Sequence, residues 1–491
     1  MNSKRKVIEN SFFYTFSSLL VKTFGFFLIP VYTFYISPEQ YGVVNLVNSF
    51  TSVAVFIVAF SLYSAVIRFY IEYKDNNEKL KILFGTIITF VSLSGVIFFA
   101  LGYLFREQLI RWFFEGISFF PYILIALSSL VFISLHTIHQ NILTAMQKGK
   151  KLVIINLIVF ILQVLLNLFF LIIVRYQALG ILLSAIIINI LYFIYMLYDL
   201  FKNNLIKVTL NLKILKELLK YSIPIMPHNL STSVASFASK VFINNNESTS
   251  EVGLYGIASQ FGQIIDLVQI SVNKAFQPWL FDNLQYKSID NAKVKDFSYI
   301  LILGYSIIYL LIGLFSHEAV LLMTTDGYSK AWTVIPILVI GFSVKSIYYF
   351  YINILFYYKS AARMIFISTI VGSLFDIVLA YFLVPIYGMY GSAIAFVLAK
   401  IIIVTIVILI SKKYNTIGYS VIKMLKIIIP SLFFMLIGLY FSYTKYLYEI
   451  SLTNLMYKTL VLLVYIVLIF IIFRKKIINF ISVIKNRKKD I

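Results

Sequence analysis

Seven of the 42 basic residues fall inside long apolar runs and outside the connections between them: Lys22, Arg68, Lys240, Lys274, Lys345, Lys400 and Lys458. A charge left in hydrocarbon costs about 2.5–3.5 kcal/mol on an insertion scale. Arg68, Lys240 and Lys458 lie near run ends, where a flexible stem can carry the charge to the interface. Lys22, Lys274, Lys345 and Lys400 are deeper and are expected to turn toward water or an anion. The acids well inside the runs are Asp266 and Asp376, too few to neutralise this excess by pairing. Lysines lining a wet route would give charge-assisted hydrogen bonds to phosphate. Asp266 and Asp376 are the candidate ion-coupling groups; Asp266 is equally a partner for Lys22 or Lys274, and structural pairing is favoured over ion coupling.

A polar stripe supports the wet route. On a helical wheel Gln263, Asp266, Gln269, Asn273, Lys274 and Gln277 fall within an arc of about 140°, opposite Phe261, Ile264, Ile265, Val268, Val272 and Phe276. At membrane depth such a face lines a cavity, or else a polar contact between helices. Two further stripes end in lysine at one spacing: Ser11, Thr15, Ser18, Lys22 and Asn229, Ser233, Ser236, Lys240. The substrate-binding candidates are therefore Lys22, Lys240, Lys274, Lys345, Lys400, Gln263, Asn273 and Gln277.

The elements that position them follow from composition. The 491 residues are 61% hydrophobic and 13% charged, against 45–50% and about 25% in soluble chains. A cytosolic enzyme, a disulfide scaffold and a disordered chain are excluded. Fourteen runs are long enough to span a bilayer as helices: 10–35, 42–71, 82–104, 119–144, 152–174, 178–200, 219–243, 252–281, 298–323, 332–357, 361–384, 388–410, 424–443 and 455–473. No alternating barrel pattern is present, so the fold class is an all-α integral membrane bundle of about fourteen helices.

Gly42 and Gly253 begin the second and eighth runs at an offset of 211, and Gly180 and Gly391 repeat that offset. This predicts two six-helix lobes related by a parallel repeat, at 1–205 and 206–412. Two additional helices and a basic tail occupy 413–491. The connections on the side of the termini carry thirty Lys and Arg, and those on the other side carry five. The positive-inside rule then places both termini in the cytoplasm, with the tail near anionic headgroups. This placement accounts for the net charge of +22 without a nucleic-acid partner. Met1–Asn10 leads into no short apolar core with a cleavage site, so no removable signal is expected.

Cysteine is absent, which removes thiolate chemistry. His136 and His139 share a helix face, but no acid or Cys is near them in sequence; ordinary polar contacts are expected, with no metal and no cofactor. No Asp-x-Asp occurs in the chain, which argues against a metal-dependent nucleotide-sugar enzyme.

Several segments carry a family resemblance: Pro38-Glu39-Gln40-Tyr41-Gly42, Tyr221-Ser222-Ile223-Pro224-Ile225-Met226-Pro227-His228, Val252-Gly253-Leu254-Tyr255-Gly256-Ile257-Ala258, Gln277-Pro278-Trp279-Leu280-Phe281 and Val384-Pro385-Ile386-Tyr387-Gly388-Met389-Tyr390-Gly391. In this order the chain resembles the polysaccharide-biosynthesis flippases, the O-antigen and capsule repeat-unit translocases of the multidrug/oligosaccharidyl-lipid/polysaccharide exporter superfamily. The resemblance implies a transporter of the bacterial cytoplasmic membrane with a basic central cavity. It would move undecaprenyl-pyrophosphate-linked oligosaccharide from the inner to the outer leaflet by alternating access. Its partners would be membrane lipids, a polysaccharide polymerase and glycosyltransferases. The family's acidic–basic pair at the end of the seventh span reads Ser239-Lys240 here, so the acid is missing. A peptidoglycan-precursor flippase shares the pyrophosphate chemistry and stays open. A drug/cation antiporter would need a more acidic interior.

Overall fold

The computed structural model describes residues 25–286, 291–358, 361 and 364–487, with side chains to Arg474 except that of Tyr286. Among these residues the chain is helical and has no strand. Two compact units divide it at Gly253/Leu254.

In the first unit the helices are α1 (Ile29–Tyr35), α2 (Pro38–Val58), α3 (Leu62–Tyr73), α4 (Asn77–Leu104), α5 (Arg106–Phe113), α6 (Leu124–Ala145), α7 (Gly149–Leu168), α8 (Gln177–Lys202), α9 (Leu212–Ser222) and α10 (Met226–Asn246). Helix α11 (Thr249–Tyr286) starts in this unit and runs on through the second. The second unit continues with α12 (Asn291–Leu314), α13 (Ser316–Met323), α14 (Ile335–Tyr357), α15 (Ile365–Ser411), α16 (Val421–Thr444) and α17 (Leu452–Arg487).

Helix starts are set by local chemistry. Ser37 accepts from the Gln40 amide ahead of Pro38, Asn76 from Lys79, and Asn211 from both Lys213 and Ile214. Each satisfies an amide that the first turn leaves without a partner. In the first unit α6 packs against α2, α3, α4 and α8, and α10 lies along α2. In the second unit α14 packs on α15 and α12, while α12 also holds α16 and α17.

Ten helices among the described residues are long and apolar enough to cross a membrane. One of them covers two of the expected spans. Within α15, Gly388 has φ 55° and ψ −135°, a backbone open to glycine and strained for other residues. The helix folds back there into two arms. The other three expected spans are the segment at 25–35, α10 and α11. The last two are 21 and 38 residues long, and the polar stripes lower their hydropathy. The fourteen-helix reading therefore stands, although some of the expected runs are broken. The run 42–71 is two helices, because Phe60 (φ 48°) and Ser61 (φ 52°) take left-handed backbone between α2 and α3.

Gly42 and Gly253, matched by the sequence repeat, also meet in space. A Cβ on Gly42 would lie 1.8 Å from the Thr249 carbonyl oxygen, and one on Gly253 would lie 2.1 Å from that of Pro38. The first turns of α2 and α11 thus touch backbone to backbone, and neither can accept a methyl group without moving. We expect Gly42→Ala to cost about 1–3 kcal/mol by overpacking. Thermal unfolding of the purified variant checks this, and an unchanged Tm would show that the two turns separate freely.

Candidate functional site

Lys22 lies outside the described residues. The other candidates divide between the two units. In the first, Lys240 on α10 is half-buried, and its ammonium donates to the Ser49 hydroxyl on α2 at 2.7 Å. Ser49 itself donates to the Asn45 carbonyl at 2.8 Å. Around this contact Asn48 and Ser52 of α2 and Thr232 and Ser236 of α10 are exposed. A face of amides, hydroxyls and one ammonium at membrane depth is a poor surface for acyl chains.

In the second unit the α11 stripe divides. Gln269 is fully buried, and its amide donates to the Tyr309 hydroxyl and the Phe342 carbonyl, both at 2.9 Å. Asp266 accepts from the Lys345 ammonium at 2.6 Å and from the Tyr349 hydroxyl at 3.2 Å. Asn273 accepts from the Asn353 amide at 2.7 Å. These three residues tie α11 to α12 and α14. Gln263 and Lys274 are exposed, and Gln277 is half-buried. The arc is wide enough for one edge to pack on neighbouring helices while the other stays open. Gln263 and Lys274 therefore stand on the open edge of the stripe and Gln269 on its packed edge.

Asp376 and Lys400 lie on the two arms of α15. Asp376 is 8% exposed. Lys400 sits with its ammonium 4.6 Å from the centre of the Phe396 ring and interacts electrostatically with Asp376, Asp266 and Lys345.

Two ionic clusters were missed by the sequence reading. Asp199 on α8 pairs with Lys151 on α7 and with His139 on α6 at 3.3 Å. His139 also bonds the Tyr192 hydroxyl at 2.8 Å, and His136 bonds Asn189 at 3.0 Å. Both histidines thus have the ordinary polar contacts expected of them. In the second unit Lys458 on α17 is fully buried and bonds both oxygens of Glu318 on α13, at 2.7 and 2.8 Å. Lys458 therefore does not reach for the interface. Both acids stand at the ends of apolar runs, and that position was the signal available.

Among the described residues Lys81, Lys151, Lys345 and Lys458 each meet a carboxylate. Lys240 and Lys274 are not among them. Each unit therefore carries an ammonium on a polar helix face, and among the described residues no ion pair to a carboxylate is seen for it.

Residues 7–284 match the family described as polysaccharide biosynthesis protein, which is more than half of the chain. The chain belongs to that family. An uncharacterized membrane protein of Haemophilus influenzae is 24% identical over 131 residues. That match spans 27% of this chain and 32%, about a third, of that relative's length. Among solved structures, the lipid II flippase MurJ in an inward closed conformation aligns at TM-score 0.69 and 21% identity, over 96% of this chain and 100% of that one. An inward-facing multidrug resistance MATE family transporter aligns at TM-score 0.60 and 14% identity, over 80% and 94%. At these identities the likeness establishes a shared fold. Within the polysaccharide biosynthesis family the match runs from the first apolar run through α11, so it includes both Lys240 and Lys274.

Proposed function

We propose that this member of the family is a flippase for saccharides linked to a polyprenyl pyrophosphate. It moves the anionic head from the cytoplasmic to the outer leaflet by alternating access while the tail stays in lipid. The observation that carries this reading is Lys240, an ammonium bonded to the hydroxyl of Ser49 in the middle of α2 rather than to an acid. An ammonium so placed offers a phosphate a charge-assisted hydrogen bond. Lys274 on α11 offers a phosphate the same chemistry, and the amides and hydroxyls beside each lysine suit sugar hydroxyls. Lys22 joins them by its place at the end of a polar stripe of the same spacing. Lys345 serves Asp266, and the Lys400 ammonium rests over the Phe396 ring, so neither is assigned to the head. Gln263, Asn273 and Gln277 remain with the saccharide.

The driving force needs no coupled ion in principle. With an inside-negative potential and both termini cytoplasmic, outward movement of an anion gains about 2.3 kcal/mol per charge per 100 mV. A polymerase that consumes the saccharide outside, and glycosyltransferases that build it inside, keep the movement directional. A drug/cation antiporter fits less well, because Asp266, one of the two intraspan acids, already holds a lysine. A peptidoglycan-precursor flippase is the second reading. It is favoured by the likeness over the whole length of the lipid II flippase.

The test is reconstitution. Proteoliposomes receive a fluorescent polyprenyl-pyrophosphate oligosaccharide, and its appearance in the opposite leaflet is read by quenching. We expect transfer of the pyrophosphate lipid and none of a neutral polyprenyl glycoside. Proton-driven movement of a cationic dye without lipid transfer would overturn the reading. Transfer of a peptidoglycan precursor alone would select the second.

A further inference from the structure

Four ionisable side chains of the second unit stand at one level on four helical segments. Asp266 is on α11, Lys345 on α14, Asp376 on the first arm of α15 and Lys400 on the second. Helix contacts fix this register. The position of a Cβ on Gly341 is 2.5 Å from Phe396, and Lys345 and Lys400 lie one turn beyond that contact. The position of a Cβ on Gly372 is 2.0 Å from Ile403, and Asp376 and Lys400 lie about one turn nearer the bend. Each of the latter two is twelve residues from Gly388. That is about 18 Å along a helix, near the middle of a hydrocarbon core of about 30 Å.

The signs balance: two ammonium groups and two carboxylates. Asp266 has a direct partner in Lys345. Asp376 does not, and its Oδ1 has no hydrogen-bond donor. A buried carboxylate at this depth needs a cation. The ammonium at its level on the facing arm is that of Lys400, held over Phe396.

We propose that Lys400 is a tethered counter-cation for Asp376, so that the second unit takes up no soluble monovalent metal ion, and that removing this ammonium turns Asp376 into a site for one. Hard cations take oxygen ligands, and the unpartnered carboxylate oxygen would supply the first.

The test uses the purified full-length protein in sodium-free buffer, with NaCl exchanged against an organic cation chloride at constant ionic strength. Tm and radioactive sodium binding are read together. The natural protein and Lys400→Arg are expected to show no saturable response. Lys400→Met is expected to bind sodium saturably and gain roughly 5 °C as it does so. The double variant Lys400→Met/Asp376→Asn should lose both effects. If Lys400→Met cannot be purified without sodium, purification of the double variant supports the proposal, and its failure overturns it. Saturable sodium binding by the natural protein that Asp376→Asn removes would overturn it as well. So would a purified Lys400→Met that ignores sodium.

Discussion

Lys240→Gln lowers the rate of head transfer by about 10- to 150-fold. A hydrogen bond to a charged group contributes about 1.5–3 kcal/mol, and each 1.36 kcal/mol is tenfold in rate. Glutamine keeps much of the side chain's length and can still reach Ser49, so the loss reports the charge and not the packing. The Lys240→Gln/Lys274→Gln pair should fall by about a thousandfold or more, to the rate of empty vesicles. Lys240→Arg should retain most of the activity, because a guanidinium also binds phosphate. The measurement is leaflet transfer in proteoliposomes at matched protein density. Full transfer by the double glutamine variant would remove both lysines from the route.

The largest effect on stability is expected at Lys458. Its ammonium is fully buried and contacts both oxygens of Glu318. Lys458→Ala leaves the buried Glu318 carboxylate without its ammonium and with only the His317 ring at 3.3 Å as a basic neighbour, a loss of about 3–5 kcal/mol. Replacing both members with apolar side chains of similar volume, as in Lys458→Met/Glu318→Leu, is often neutral and should recover most of the loss. Thermal unfolding in detergent reads both variants. Equal Tm values for Lys458→Ala and the natural protein would mean that water reaches Glu318 freely. The pair is not an isolated staple. The Trp332 indole donates to the Leu447 carbonyl at 2.9 Å, and the Tyr443 hydroxyl donates to the Thr333 carbonyl at 3.0 Å. Together these contacts bind α16 and α17 into the second unit.

Much of this was legible in the residue order, for physical reasons. Span length is a property of composition, so the helical bundle follows from the apolar runs. The bend at Gly388 was marked by Pro385 and a glycine at the boundary between two runs. The break at Phe60 and Ser61 was not marked, because neither residue is a usual carrier of left-handed backbone. The α11 stripe correctly pointed to polar surroundings. It did not say which member meets a neighbouring helix, because the donors to Asp266 and Asn273 lie about eighty residues away. Pairing across that separation depends on packing. A helical wheel shows one helix and not its neighbours. The same limit hid Glu318 from Lys458, 140 residues apart.

The hairpin at Gly388 has a consequence for how the chain enters the bilayer. Its two arms carry opposite charges at equal depth, and neither arm alone offers its charge a counter-ion. During synthesis the first arm emerges while Lys400 is still unmade, so its carboxylate cannot leave the aqueous insertion channel cheaply. Release into lipid is then most favourable once the second arm has followed, and the two partition as one piece. A ribosome stalled after the first arm would hold an intermediate that waits in the channel instead of moving sideways into the membrane.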